Sequence, residues 1–204
     1  MSITTRDELI DALANNSSRI VIDKASLANA AAGQYFSLWT ATGVPGAGSA
    51  PGAAANPTSA TTGAMGFANQ TAPATSYIAW LSTLAGNSAT NLEIHDRLAH
   101  MGGLSGTVTT SQGALSLVTN SPGADRLGDA NYSDVQWWLE VYTALGATGV
   151  NATVAVEYND ASTGNLAAIA LGATPRQGRL YPCVSASAGK FIRAVTGVTL
   201  SATT

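Results

Sequence analysis

Apolar residues fall at every second position from Val135 through Trp137, Leu139 and Val141, with Gln136, Trp138, Glu140 and Tyr142 between them. This two-residue period predicts a strand over Tyr132 to Tyr142, with both faces apolar enough to be covered. Trp137 and Trp138 must then face opposite ways, one into the core and the other over the second face or into an interface. The same alternation sets Val154, Val156 and Tyr158 against Thr153, Ala155 and Glu157. Asn159 to Gly164 (NDASTG) reads as a turn that returns the chain into Leu166 to Leu171, so a hairpin is predicted here. Shorter β-patterned runs occur at Arg19 to Ile22, Gln34 to Thr40, Gly106 to Thr110, Ala114 to Val118, Gly178 to Val184 and Phe191 to Leu200. In Gln34 to Thr40 the pattern puts Tyr35, Ser37 and Trp39 on one face and Phe36 and Leu38 on the other.

Two stretches carry both periods. Tyr77 to Leu84 places Ile78, Trp80, Ser82 and Leu84 on one face of a strand, yet Ile78, Leu81 and Ala85 suit a helix. Leu92 to Met101 has helix punctuation, with Thr90 as a cap, Glu93 closing a capping box, Ile94, Leu98 and Met101 as a stripe and Gly102 as a stop. Its neighbours are all short and β-patterned, so a strand is expected here as well.

At the N-terminus the pattern changes. Thr5 can cap a short helix, Glu8 stands three residues on, and Leu9, Ile10 and Leu13 give a narrow apolar stripe before Asn15 and Asn16. A helix this short does not hold in water alone, so it is expected to dock on this domain or on a neighbouring subunit. Ala41 to Thr75 is uncharged, is built mainly from Gly, Ala, Ser and Thr, and contains four of the seven prolines. It reads either as an irregular connector or as an extended arm laid over a partner surface, since small residues let backbones approach closely. The expected architecture is an all-β, antiparallel β-sandwich, jelly-roll-like, with an N-terminal helix and an extended Gly/Ala/Pro-rich arm over residues 1–75 and the sandwich over 76–204.

Composition supports this. The hydrophobic share is 46%, largely Ala and Val, so backbone pairing and extended contact matter more than large aromatic clusters. Only 10% of residues are charged, against about 25% in an average domain. The net charge of −3 and the lack of any Lys/Arg run disfavour nucleic acid as a partner. A single cysteine, Cys183, rules out an intrachain disulfide and a multi-cysteine zinc site, and is most simply a small buried apolar residue. The start, MSITTRDELIDAL, lacks the pattern of a signal peptide and no apolar run spans a bilayer, so no membrane partner is expected and synthesis is expected in a cytoplasm.

Candidate chemistry centres on Leu92 to Thr110, which holds both histidines, His95 and His100, with Glu93, Asp96 and Arg97. Neither a strand nor a helix brings both imidazoles onto one ion, so no metal site is assigned, and Asp96 with Arg97 reads as a fixed ion pair or intersubunit contact. Ser105, His95 or His100, and Asp134 can be assembled into a nucleophile triad on paper, but Gly103-Leu104-Ser105-Gly106 is not a nucleophile elbow. Glu140 and Glu157, on what read as adjacent strands near Trp138, are the best pair for glycoside hydrolysis, and a structural role is the commoner outcome for such residues. GVPGAG at Gly43 to Gly48 has the glycines of a phosphate loop but neither its lysine nor its strand–helix context. No catalytic residue and no cofactor are expected, and the protein is not expected to be an enzyme.

Three segments, IHDRLAHMGGLSGTVTT (94–110), QWWLEVYTALGATGVNATVAVEYND (136–160) and VTGVTLSATT (195–204), together resemble tailed-bacteriophage head decoration, or cement, proteins. The resemblance runs over about Thr75 to Thr204 and contains no catalytic signature. It implies a structural virion protein on the outer capsid surface, made in the bacterial host cytoplasm. Its implied partners are the major capsid protein, whose subunits it would bridge, and itself as a homotrimer. Similar sequences continue past the position of Thr204, which implies a further terminal strand. The alternative expectation is a carbohydrate-binding or host-recognition β-sandwich, recognisable by exposed Trp or Tyr around a groove.

Overall fold

The structure, a computed structural model, describes residues 3–15, 17, 19–25, 31–66, 78, 80–84 and 91–204. One helix, α1 (Arg6–Asn15), precedes ten strands: β1 (Asp23–Lys24), β2 (Tyr35–Phe36), β3 (Gly43–Val44), β4 (Leu115–Ser116), β5 (Trp137–Glu140), β6 (Val150–Tyr158), β7 (Thr163–Asn165), β8 (Ile169–Gly172), β9 (Arg179–Cys183) and β10 (Ile192–Leu200). All pairings among them are antiparallel. The larger sheet runs β4-β10-β6-β7 with β8 also on β6, a second runs β2-β9-β5, and β1 pairs with β3 alone.

The alternation read from the sequence is realised most fully in β6, where Val150, Ala152, Val154, Val156 and Tyr158 are all buried and the residues between them are not. Val154 and Val156 are completely enclosed, each worth about 1.5–3 kcal/mol of burial. The predicted hairpin forms at Tyr158. Ala161 adopts φ 65°, Ser162 carbonyl oxygen accepts from the Tyr158 amide at 2.8 Å, and β7 returns along β6. β8 continues along the same edge of β6, opposite Val150 to Ala152.

β10 crosses β6 with two bulges, between Ile192 and Ala194 and between Val195 and Gly197. Each bulge shifts the register by one in the same direction, and an offset of two residues keeps the alternation of faces, so Val198 and Leu200 face the same core as Val154 and Ala152. From the second sheet Tyr181 and Cys183 enter that core, with Trp137 and Leu139 packed against it. Two antiparallel layers therefore share one hydrophobic interior, which is a β-sandwich. A jelly-roll winding is not established by this strand order.

Several elements depart from the sequence reading. The strand expected at Arg19 to Ile22 forms instead at β1, because Asp23 and Lys24 find β3 while Ile20, Val21 and Ile22 stay 44–47% exposed. Gly43, at φ 132°, allows that pairing, since a Cβ there would stand 1.9 Å from the Asp23 carbonyl oxygen. The long strand at Tyr132 to Tyr142 shortens to β5 because an Asp129-centred turn precedes it, with Tyr132 at φ 63°. Gln34 to Thr40 contributes only two paired residues, and Gly106 to Thr110 none.

Leu92 to Met101 is neither helix nor strand: it is extended chain whose only backbone pairing among the described residues is at His100, because its side chains are drawn to partners on both sides. Of Tyr77 to Leu84, residues 77 and 79 lie outside the described set, and the others form no regular element. Helix α1 is capped as expected, with the Glu8 amide donating to Thr5 Oγ1 at 3.2 Å and the Thr5 amide donating to Glu8 Oε2 at 2.9 Å. None of its residues is buried among the described residues.

Candidate functional site

The sheet β2-β9-β5 turns Tyr181, Cys183, Trp137 and Leu139 inward, so the intervening side chains Trp138 and Glu140 stand on its outer face. Glu140 sits there with its side chain only 8% exposed. Such a carboxylate needs a charged partner, and Arg97, from the extended 91–100 stretch, supplies it: Nη1 donates to Glu140 Oε2 at 2.8 Å. The other Arg97 nitrogen donates to Ser37 Oγ at 3.1 Å, and the guanidinium lies 4.7 Å from the centre of the Trp39 ring. Tyr142 completes the cluster, its hydroxyl pushed up to about 12 by burial and by the Glu140 charge.

Trp39 is gripped from three sides. Its indole Nε1 donates to the Ser49 carbonyl oxygen at 3.1 Å, and Gly48 lies flat on the ring, where a Cβ would be 2.2 Å from Cε2. The His100 imidazole meets it edge-on, with centroids 5.4 Å apart and planes at 90°. His100 is 8% exposed, its Nδ1 has no hydrogen-bond partner, and burial first and Arg97 second hold it below the ordinary histidine value, with Glu140 opposing.

The same cluster fastens the Gly/Ala/Pro-rich stretch. His100 and Ala55 exchange both backbone hydrogen bonds at 2.9 Å, and the Gly102 amide donates to the Pro51 carbonyl at 2.8 Å. Asn56 Nδ2 donates to the Asn120 carbonyl at 2.9 Å, and Arg126 Nη1 donates to the Pro57 carbonyl at 3.0 Å. Lys24 Nζ reaches the carbonyls of Ala41 and Gly46. Over residues 41–66 the stretch, read either as an irregular connector or as an arm over a partner, is fastened at these points to its own chain, and Ala41 and Pro57 are buried. Residues 67–75 are outside the described set.

The pairings expected from the sequence are corrected here. Asp96 and Arg97 do not pair with each other, because adjacent residues of an extended chain point apart. Asp96 takes a two-pronged contact from Arg126 at 2.8 and 2.6 Å, and Arg97 takes Glu140. Glu140 and Glu157 are not on adjacent strands. They lie in different sheets, and each has its own arginine, Glu157 that of Arg193, so no pair of carboxylates faces a cleft between them.

Ser105 Oγ bonds Thr107 Oγ1, and no hydrogen bond joins Ser105 to a histidine among the described residues. His95 is exposed and contacts Glu93 at 3.0 Å, apart from the buried His100 cluster. Among the described residues no three His, Cys, Asp or Glu side chains gather as metal ligands, and no helix is long and apolar enough to cross a membrane. GVPGAG forms β3 and the floor beneath Trp39, not a phosphate loop.

Trp137 and Trp138 do face opposite ways. Trp137 packs on the core and donates to the Ile192 carbonyl at 2.8 Å, while Trp138 stands by Tyr35 with ring centroids 5.2 Å apart. Beside them a cavity of about 380 Å³ is lined by Gln136, Trp138, Pro182, Ser185, Lys190 and Phe191, among others. Cys183 is buried as expected. Sequence reasoning missed Ser37, Trp39, Tyr142 and Arg126 as cluster members. The one signal that could have found Arg126 is the scarcity of cations, nine Lys and Arg against twelve Asp and Glu, which leaves each acid few partners to reach for. No protein-family model, no curated protein and no solved structure matches this chain.

Proposed function

We propose that this protein is a non-enzymatic structural component that binds the outer surface of a phage capsid and bridges major capsid protein subunits, acting as a homotrimer. The observation that carries the reading is apolar surface left exposed among the described residues. Helix α1 buries nothing and shows Leu9, Ile10 and Leu13 at 44–50% exposure, and Ile78, Trp80 and Leu84 are 83–95% exposed. Large apolar side chains left this open mark contact surfaces for other molecules. The Arg97 guanidinium is spent on Glu140 and Ser37, and the His100 backbone on the chain's own arm, which suits a clamp better than a reaction centre. The likeness of the three segments to decoration proteins supplies the kind of partner, and interfaces of that kind bury about 1,200–2,000 Å² in total.

The test is co-sedimentation with expanded empty capsids together with light scattering of the free protein. Binding at a fixed ratio by a trimer supports the reading, and a monomer that stays in the supernatant overturns it. Residues 1–22 are the segment to remove, since β2 belongs to the sandwich and a larger deletion would damage it. The shortened protein should fold and lose capsid binding.

A second reading, glycan binding, is favoured by Tyr35, 52% exposed and tilted at 58° against Trp138, beside the cavity near Lys190. Aromatic faces with polar neighbours suit the apolar face of a sugar ring. A glycan screen with Trp138→Ala as control decides it.

A further inference from the structure

We infer that His100 is an acid-sensitive latch: proton uptake by its buried ring opens the seam between the Ala41–Gly66 stretch and the 91–126 segment while the sandwich stays folded. The inference stands independently of the capsid reading.

The geometry makes His100 the centre stitch of that seam. Its amide and carbonyl both pair with Ala55, and the next contacts along the seam, Gly102 to Pro51 and Asn56 to Asn120, flank it. Its ring packs perpendicular to that of Trp39, whose carbonyl accepts from the Gly48 amide and whose indole holds Ser49, both in the same stretch. Any movement of the ring is therefore passed to the backbone it fastens.

A neutral imidazole fits this place and an imidazolium does not. Nδ1 is buried without a partner, which a neutral ring tolerates as a bare lone pair, whereas protonation makes it a charged donor with no acceptor. The charged and titratable groups around it are Arg97 on its own segment, Glu140 on β5, and Tyr142 just beyond β5. Arg97 already lies over the Trp39 ring, so a second cation packed against that ring meets a like charge. Glu140 has one carboxylate oxygen engaged by Arg97, and its other oxygen is buried and unpartnered. That oxygen gives attraction, but burial and Arg97 together outweigh it. Tyr142 is neutral throughout the relevant range. The Asp96–Arg126 pair lies at the next turn of the seam and holds Pro57 without using His100.

The sign follows from linkage. A histidine lowered in the folded state favours the closed seam when neutral, and this contribution is lost as pH falls below the unfolded value of 6.5 toward the lower folded value. One proton taken up on opening changes the closing equilibrium by up to about tenfold per pH unit in that window.

The experiment is amide hydrogen exchange on the full chain between pH 7.5 and 5, corrected for intrinsic rates, with the His100 side chain titrated by NMR in the same samples. Protection at Ala55, His100 and Gly102 should fall by up to about tenfold per unit while β6 and β10 amides keep theirs. His100→Gln, which cannot ionise, should hold protection flat with pH. Seam protection that stays constant while His100 visibly titrates overturns the inference, and so does a His100→Gln protein whose seam opens with acid just as the wild type does. The side-chain titration needs no variant, so it decides the matter even if His100→Gln folds poorly.

Discussion

Arg97 Nη1 stands 2.8 Å from Glu140 Oε2, joining positions 43 residues apart across the outer face of the smaller sheet. The arginine side chain is 26% exposed and the glutamate 8%, so solvent screens the pair little. Removing the arginine strands a carboxylate whose other oxygen already lacks a partner. Breaking such a pair from one side costs about 3–5 kcal/mol, far more than a surface pair. Arg97→Ala should therefore lower the denaturation midpoint strongly, and Glu140→Gln should cost less because the arginine it leaves unpaired is the more exposed partner and keeps Ser37 and the Trp39 ring. Equal, small losses for both would show that the pair is solvated and without structural weight.

Gly48 gives the second prediction. A methyl group there would reach within 2.2 Å of Trp39 Cε2 and 2.5 Å of Nε1, in a ring pinned by Arg97, His100 and Ser49. The indole has nowhere to retreat, so Gly48→Ala should destabilise by about 1–3 kcal/mol, as overpacking does. Gly52 lies in the same stretch with nothing within 4 Å of its missing Cβ, and Gly52→Ala should stay within about 0.5 kcal/mol of wild type. Chemical denaturation of both variants gives the contrast, and similar midpoints would mean that the ring is not fixed.

The helix cap supplies a pH signature. Hydrogen bonds from Thr4 first, then Thr5, pull the Glu8 carboxyl down from 4.5 to about 2. A depressed carboxylate supports the folded form above its unfolded value and loses that support as pH falls through the folded one. Helical chemical shifts over Arg6 to Asn15 should thus persist at pH 5 and decay between 4.5 and about 2. Thr5→Ala should weaken them at every pH while the main unfolding transition stays put, because α1 buries nothing against the sandwich. A shifted global transition would mean that the helix is coupled to the core after all.

How legible each part was in the sequence depends on the range of the interaction that decides it. Val150 to Tyr158 is governed by one face turned to the core and the other turned outward, so its alternation is written locally and reads correctly. The reciprocal bonds of Thr5 and Glu8 span three residues and read correctly too. Leu92 to Met101 fails on both readings because its conformation is decided by Asp96 reaching Arg126, 30 residues on, and Arg97 reaching Glu140, 43 residues on. Pattern alone cannot weigh such pairs against a capping box. Glu140 and Glu157 were misplaced for the same reason: the loop between β5 and β6 changes sheets, and nothing in the alternation of either strand records the change. The single buried histidine was visible as a residue but not as a stitch, since its backbone partner Ala55 sits in a stretch with no strand signal.

Cys183 offers the last test, of how tightly the two layers close. It lies in register with Trp137 across β9 and β5, belongs to the shared core, and burial pushes its thiol up to about 11. Thiolate is the reacting species, so at pH 8 the native protein holds about a hundredfold less of it than a free cysteine at the ordinary value of 9.0. A thiol reagent at pH 8 should modify the native chain at least that much more slowly than the chain in denaturant, where the single cysteine reacts to completion. The same shift sets an alkaline limit, because a thiol raised in the folded state contributes stability that is present below 9.0 and is lost as pH rises toward about 11. Cys183→Ala keeps a small apolar residue in place and should remove that alkaline loss while adding a modest packing cost at pH 7. Rapid labelling of the native protein at pH 8 would mean that the layers part at Trp137 without global unfolding, placing the opening motion at β5 and not at the arm.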